Sequence, residues 1–469
     1  MLNPKRREVF IKKCHEGFNI AQNEIAKLLP ELEAKLPDLR ILYRKEVGRF
    51  RKDRKPPIPR YSKAGIEYSK QLFYSAVLRE IANAIAWQIL GNDGTKVRAL
   101  IQGILPGPIQ RSDLENTLKT ANKLNLEDKT SFALIADITS CIQVGDLLMR
   151  LPTGQFGLCE LKDGVVNKNI EDLLETSPVK QAAFDKFNRL ADEFGESFVK
   201  QFRRVLRQRE RMTMALEYIN TSVGVDIQCK KPKITDVDPR VTVTYHKEIN
   251  HLLRKAKKKG EEYLIVDECL MLGVFNTVKL NRSSDVCKKD FQHQVWHTFF
   301  ENWTECPYGK KSDEQKIKKH FEYMLLPAWE MKNKIHTPTH RPLFITGIAE
   351  DFVFDILFDR MALFLYFSPQ KFVELCKKKE INAAWITGGE YRRIKGEALK
   401  NKIVLLDIHD GIIRIKDRVQ DFTQDIGLGM LYKIVYEFER PSSVVEAIKE
   451  DLLTLPERLK KLDKEPGNS

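Results

Sequence analysis

Between Ile142 and Lys162 the chain carries two short apolar runs, Ile142-Gln-Val-Gly-Asp-Leu-Leu-Met149 and Phe156-Gly-Leu-Cys-Glu-Leu-Lys162, joined by a turn signal at Pro152-Thr-Gly154. Alternating runs of this length predict two adjacent strands, and so short a connection makes them a hairpin. The hairpin constrains the fold most because helical patterns lie on both sides of it, which predicts an α/β unit. It also carries chemistry. Asp146 and Glu160 fall at the ends of neighbouring strands and can share a Mg²⁺ or Mn²⁺ ion, while Lys162, one alternate position on, projects from the same strand face. A divalent ion with a nearby ammonium suits phosphodiester cleavage: the ion acidifies a bound water and the lysine steadies the water or the developing oxyanion. Asp137, at the end of the run Ala133-Leu-Ile-Ala-Asp-Ile138, competes for the same role; the hairpin connection favours Asp146.

On these residues the N-terminal half resembles the PD-(D/E)XK nuclease superfamily, whose signature is an acidic residue, a spacer, then Glu or Asp, one residue, and Lys. Asp146 takes the first acidic position, Glu160 and Lys162 the pair, and Gly145 stands where Pro is usual, a departure many nucleases share. The resemblance implies a restriction-endonuclease-like mixed sheet flanked by helices. It further implies an acidic residue from the preceding helix, for which Glu80 is placed, with Glu80 joining Asp146 and Glu160 on the metal. A polar residue from the following helix is implied too, for which Gln181 fits, with Ser177 as N-cap and Pro178 at the first helical position.

The formal charge is +14 and the isoelectric point about 9.2, which points to a polyanionic partner. Three clusters carry the charge: Arg44 to Arg60, Arg203 to Arg211, and Arg254-Lys-Ala-Lys-Lys-Lys259. The first is expected to be a Pro-rich, non-helical loop presenting Arg49, Arg51 and Arg54. Arg203, Arg204 and Arg207 lead the second. Such clusters bind DNA or RNA phosphates with strong salt dependence. The eight cysteines are scattered without a Cys-x-x-Cys pair and are expected to be reduced core residues. No uninterrupted apolar stretch is long enough to span a membrane, and Met1 to Arg7 lacks the apolar core of a signal peptide. A soluble, cytoplasmic protein is the expectation.

Helices are expected over residues 5–36, 67–90, 112–123, 182–191 and 198–215. The texture changes to short strand-like runs near 220–245, so a nuclease-like domain over 1–220 and a second mixed α/β recognition domain over 221–469 are expected. In the second, Tyr263–Val266, Met271–Phe275, Pro342–Thr346, Ala384–Thr387, Lys402–Asp407 and Gly411–Ile415 are candidate strands; Phe352–Phe367, Phe372–Lys379 and Val444–Leu462 are candidate helices. There is no phosphate-binding glycine loop of the known types. His293 and His297 with Cys287 and Cys306 lack the paired spacings of a structural zinc site, and Trp296 and Phe299 mark a buried helix face instead. Thr387-Gly-Gly-Glu-Tyr-Arg-Arg393 could hold a phosphate through backbone amides and Arg392 or Arg393; a plain turn is the simpler reading. Domain order, size and charge resemble the nuclease-APAZ subunits of prokaryotic antiviral defence that associate with a short Argonaute. That resemblance implies a guide-loaded Argonaute as partner and activation by oligomerisation. A second-messenger-activated nuclease, a site-specific restriction enzyme and a catalytically silent nucleic-acid-binding or scaffold subunit are the alternatives.

Overall fold

The computed structural model describes residues 4–52, 62–101, 109, 111–161, 165–175, 180–221, 223–225, 232–234, 243–299, 341–400, 411–417, 422–425, 433–435 and 437–462. The chain is α/β and divides into two compact units, Met1–Val237 with His336–Pro342, and Asp238–Ile335 with Leu343–Ser469. The division falls inside the stretch where the sequence changes texture.

In the first unit, α1 (Pro4–Lys52) packs on α2 (Lys63–Ile89). Gln22, Ile25, Ala26, Leu29 and Glu33 are buried at three- and four-residue spacing, the signature of one helix face. Pro30 and Pro37 lie inside α1, although each removes a backbone hydrogen bond. The helix continues through both because Leu29 and Glu33 are anchored: Glu33 Oε1 accepts Arg79 Nε at 2.9 Å, Arg79 Nη2 at 2.8 Å and Ser75 Oγ at 3.0 Å. It also runs on through Arg44 to Lys52, so that part of the first basic cluster is helical, contrary to the loop expected from its prolines. Those prolines start at Pro56 and restrict only what lies next to them.

Short α3 (Gly94–Ala99) and α4 (Arg111–Glu127) lead to a three-stranded antiparallel sheet of β1 (Phe132–Ile135), β2 (Leu147–Arg150) and β3 (Phe156–Cys159) in sequential order. Its register runs Ile135↔Leu147 and Leu147↔Cys159. Both outer edges are sealed by carboxamides. Gln22 Oε1 accepts the Ile135 N–H at 2.9 Å, Asn125 bonds both the N–H and the O of Ala133 at 2.7 and 3.0 Å, and Asn220 does the same for Phe156 at 2.7 and 3.1 Å. These side chains satisfy groups that further strands would otherwise pair. Two helices follow, α5 (Val165–Glu175) and α6 (Lys180–Thr221); α6 is broken at Gly195, whose φ of 67° is left-handed. They share a core of Ile170, Leu173, Leu190, Phe198 and Val205. A hairpin of β4 (Val223–Val225) and β5 (Pro232–Ile234) ends the unit.

The second unit holds α7 (His246–Lys259) and the antiparallel sheet β6 (Glu261–Val266), β7 (Leu270–Asn276) and β8 (Met361–Phe367). Between β7 and β8 come α8 (Thr277–Leu280), α9 (Ser284–Phe299) and α10 (Glu350–Leu357). A Cβ at Gly273 of β7 would lie 2.4 Å from the Phe291 ring of α9, so only glycine admits this close approach. Beyond β8 come α11 (Pro369–Lys378), β9 (Ala383–Thr387), α12 (Gly388–Lys400), β10 (Gly411–Asp417), β11 (Phe422–Asp425) and α13 (Pro441–Leu462), with β11, β10 and β9 forming a further antiparallel sheet.

Three expectations are corrected here. Every strand pairing among the described residues is antiparallel, where mixed sheets were expected. Phe352–Phe367 is not one helix: α10 ends, Asp359 turns at φ 61°, and β8 begins. A fully buried apolar run has no periodicity to tell strand from helix, and all seven residues of β8 are buried. Leu343–Ile345 is a 3₁₀ turn rather than a strand. The expected strand Lys402–Asp407 lies outside the described residues.

Candidate active site

The ladder between β2 and β3 ends at Leu147↔Cys159, and Asp146 and Glu160 are the next residues outward on each strand. Both therefore stand at one end of the sheet, the end where β1 also finishes. The backbone ties them there: Asp146 N–H donates to Cys159 O and Ala136 N–H to Asp146 O, each at 2.8 Å. The Asp146 carboxylate reaches across to β3, its Oδ2 accepting the Leu161 N–H at 2.5 Å. Glu160 is oriented from α6, its Oε1 accepting Gln208 Nε2 at 2.9 Å. Both carboxylates are half-buried. The pKa of the Cys159 thiol is raised by burial first, then by the charges of Asp146, Glu160 and Glu171 of α5.

Gly145 makes a turn that proline could not. Its φ is +75°, and a Cβ there would come 3.0 Å from Cys159 O. Proline fixes φ near −65°, so it cannot make this turn into β2.

Glu80 lies on α2 and is buried. Its helix is fixed against the loop after β1: Arg79 Nη1 donates to Asp137 O at 2.9 Å and Thr139 O at 3.1 Å, and Asn83 exchanges hydrogen bonds with Ser140 at 2.7 and 2.8 Å. Burial, followed by the charge of Glu80, pushes the neighbouring Cys141 thiol up to about 12. Asp137, the competitor of Asp146, is exposed just past β1. Gln181 belongs to the first turn of α6, but its side chain lies outside the described residues, as does Lys162. Arg49 and Arg51 belong to α1 rather than to a loop; their side chains and the whole of Arg54 lie outside the described residues. Arg203, Arg204 and Arg207 are exposed on α6.

Gln208 was missed by the sequence reading, which sought the helical polar residue near the start of the helix. A signal existed: Arg204, Gln208 and Arg211 recur at i, i+4 and i+7, one face of a helix. Glu171 was missed because α5 itself was not expected. In the second unit, Cys287 is buried with Phe291 and Val295 while His293 and His297 are exposed, so these three do not come together as zinc ligands; Cys306 lies outside the described residues. The Thr387-Gly-Gly segment is the passage from β9 to α12, with Gly388 at φ 68° and Arg393 paired to Glu397 at 2.8 Å.

Among the described residues no three His, Cys, Asp or Glu side chains form a group able to hold a metal ion. The oxygen donors of Asp146 and Glu160 are nonetheless the type that Mg²⁺ and Mn²⁺ take. Among the described residues no helix is long and apolar enough to cross a membrane. No protein-family model, no curated protein and no solved structure matches this chain.

Proposed function

We propose that the first unit is a metal-dependent nuclease of the PD-(D/E)XK kind, acting on DNA or RNA. The observation that carries this reading is the meeting of Asp146 and Glu160 at one end of adjacent strands, with Glu160 oriented by a helix that presents Arg203, Arg204 and Arg207 to solvent. Asp146 and Glu160, with Glu80 as a third candidate, are the residues to hold Mg²⁺ or Mn²⁺. Bound there, the ion would acidify a water and offset charge on the attacked phosphate. Leu161 N–H and Gln208 Nε2 each donate to one of these carboxylates and so help to orient the pair. Lys162 is the residue to steady the attacking water, and the arginines of α6 hold substrate phosphates.

The second unit is, on this proposal, the recognition half of a cytoplasmic defence effector. A guide-loaded short Argonaute is the partner implied by the domain order, with oligomerisation as the activating event.

Incubation of the full chain with plasmid DNA and with single-stranded RNA, in Mg²⁺, Mn²⁺ or EDTA, tests the enzyme. Cutting that needs the metal and falls at least ~100-fold in both Glu160→Ala and Lys162→Ala is expected, with nucleic-acid affinity nearly unchanged. Equal loss of binding and cutting in Lys162→Ala contradicts its chemical role. Binding without cutting, alone and with the co-purified partner, makes the chain a catalytically silent nucleic-acid-binding subunit.

A further inference from the structure

Helix α7 divides its surface into four. Ile249, Leu252, Leu253 and Ala256 are buried where the helix packs on β6 and β7. On one flank Lys255 and Lys259 both reach Glu262 at 3.1 Å, and Glu248 holds Arg440 at 2.6 Å. On the other flank Asn250 bonds Gly347 O and the Ala349 N–H, each at 2.8 Å, and Lys257 lies 5.4 Å from the Phe352 ring centre and 3.9 Å from Asp355. Opposite the buried face stand Lys247, His251, Arg254 and Lys258, all exposed. At 3.6 residues per turn they fill an arc of about 60° that holds no acidic and no apolar residue. Among the described residues none of these four side chains has an ion-pair partner.

Single exposed cations such as Lys289 of α9 and Lys377 of α11 also have no ion-pair partner among the described residues, but on α7 four stand in one row. Other lysines of the same unit are matched to acids: Lys371 to Glu374 at 2.8 Å, Lys378 to Glu268 at 2.6 Å, Lys379 to Glu446 at 2.7 Å and Lys449 to Glu380 at 3.0 Å.

We propose that the row Lys247, His251, Arg254 and Lys258 is a docking surface for the phosphate backbone of a nucleic acid, on the unit that does not carry the Asp146–Glu160 site. The row is about 16 Å long at 1.5 Å per residue, and a duplex strand carries one phosphate per about 3.4 Å of helix axis, so a row laid along that axis runs beside several phosphates. Contacts of this kind fix register without reading sequence. An anionic membrane fits worse, because a helix lying in a bilayer interface needs an apolar face to bury there, and the apolar face of α7 is spent on the sheet. The proposal stands independently of the nuclease reading.

The test is fluorescence anisotropy of labelled single-stranded and duplex DNA with the full chain across a salt series in EDTA, where nothing is cut. The variant Lys247→Gln/Arg254→Gln/Lys258→Gln is compared with Lys255→Gln/Lys257→Gln/Lys259→Gln, which removes the same formal charge from the same helix. The first is expected to flatten the log-log salt slope by about 2 to 3 units, at about 0.9 per phosphate contact, and the second by less than about 1. Equal flattening by both triples, or by neither, overturns the assignment. A greater loss of polyglutamate binding than of DNA binding in the first triple gives the row to an acidic protein instead and also overturns it. Circular dichroism checks folding, and Arg254→Gln alone, expected to flatten the slope by about 1, carries the test should the triple not fold.

Discussion

The two units each contain a three-stranded antiparallel sheet in sequential order, and the two sheets are used differently. In β6-β7-β8 the strands are six or seven residues long, and β7 and β8 are buried almost throughout. The acids around this sheet meet cations: Asp267 meets Arg440 at 3.4 Å, Glu268 meets Lys378 at 2.6 Å, and Glu262 meets Lys255 and Lys259. In β1-β2-β3 the strands are four residues long, the edges are closed by Gln22, Asn125 and Asn220, and Asp146 and Glu160 accept hydrogen bonds from Leu161 N–H and Gln208 Nε2. The larger sheet is core. The smaller one is framed by polar side chains from helices, which makes it a mount for groups at its end.

The largest effect expected from breaking this frame is at Arg79. It joins Glu33 at 2.8 Å with both side chains under a tenth exposed, so Arg79→Leu leaves a buried carboxylate without its cation and should cost the first unit about 3 to 5 kcal/mol. Urea denaturation measures this. Lys378→Ala, which breaks an exposed pair of the second unit, should leave the melting curve unmoved. Similar losses from both would erase the distinction between the sheets.

Next comes Gln208→Ala. A partner that only orients a metal ligand is worth about 10- to 100-fold in metal affinity or rate, so metal-dependent cutting should fall by that factor while the fold persists. A full-rate variant would show that Glu160 needs no support from α6.

Gly145→Ala should cost about 1 to 2 kcal/mol for the left-handed backbone, and Gly145→Pro more, because its φ is incompatible. Introducing at this position the proline that is usual in PD-(D/E)XK nucleases would therefore harm this chain. A Gly145→Pro protein as stable as the parent would mean that the turn into β2 is not the one described.

The smallest effect concerns His15 of α1, buried edge-on against Phe132 of β1 at 5.2 Å. Burial, then the charge of Lys129, lowers its pKa below the usual 6.5. The unfolded chain then takes up a proton near pH 6.5 before the folded one does, so this contribution is complete above that pH and is lost as pH falls toward the depressed folded value. His15→Leu should remove part of the acid-side slope of stability. An unchanged slope would place His15 in a solvated setting.

Much of this was legible in the sequence, and the gaps have physical causes. The hairpin was readable because Pro152-Thr-Gly154 lies between two apolar runs, and it brought Asp146 beside Glu160 before any coordinates did. The length of α1 was not, because a proline's local penalty is visible in the sequence while the distant Glu33–Arg79 anchor that overrides it is not. Gln208 is far from the motif along the chain and is brought to Glu160 only by the way α6 lies along β3. The carboxamides at the sheet edges looked like ordinary polar helix residues. In α7 the run Arg254 to Lys259 looked like one basic cluster; only packing separates the cations that answer to Glu262 and Asp355 from the row that has no ion-pair partner among the described residues.

The central claim is that Asp146 and Glu160 together hold a divalent cation, and electron paramagnetic resonance of Mn²⁺ titrated into the full chain tests it without requiring an activated enzyme. The account predicts bound Mn²⁺ in the parent protein that the Asp146→Asn/Glu160→Gln variant, still folded by circular dichroism, no longer takes up. Equal Mn²⁺ binding by both proteins would contradict it.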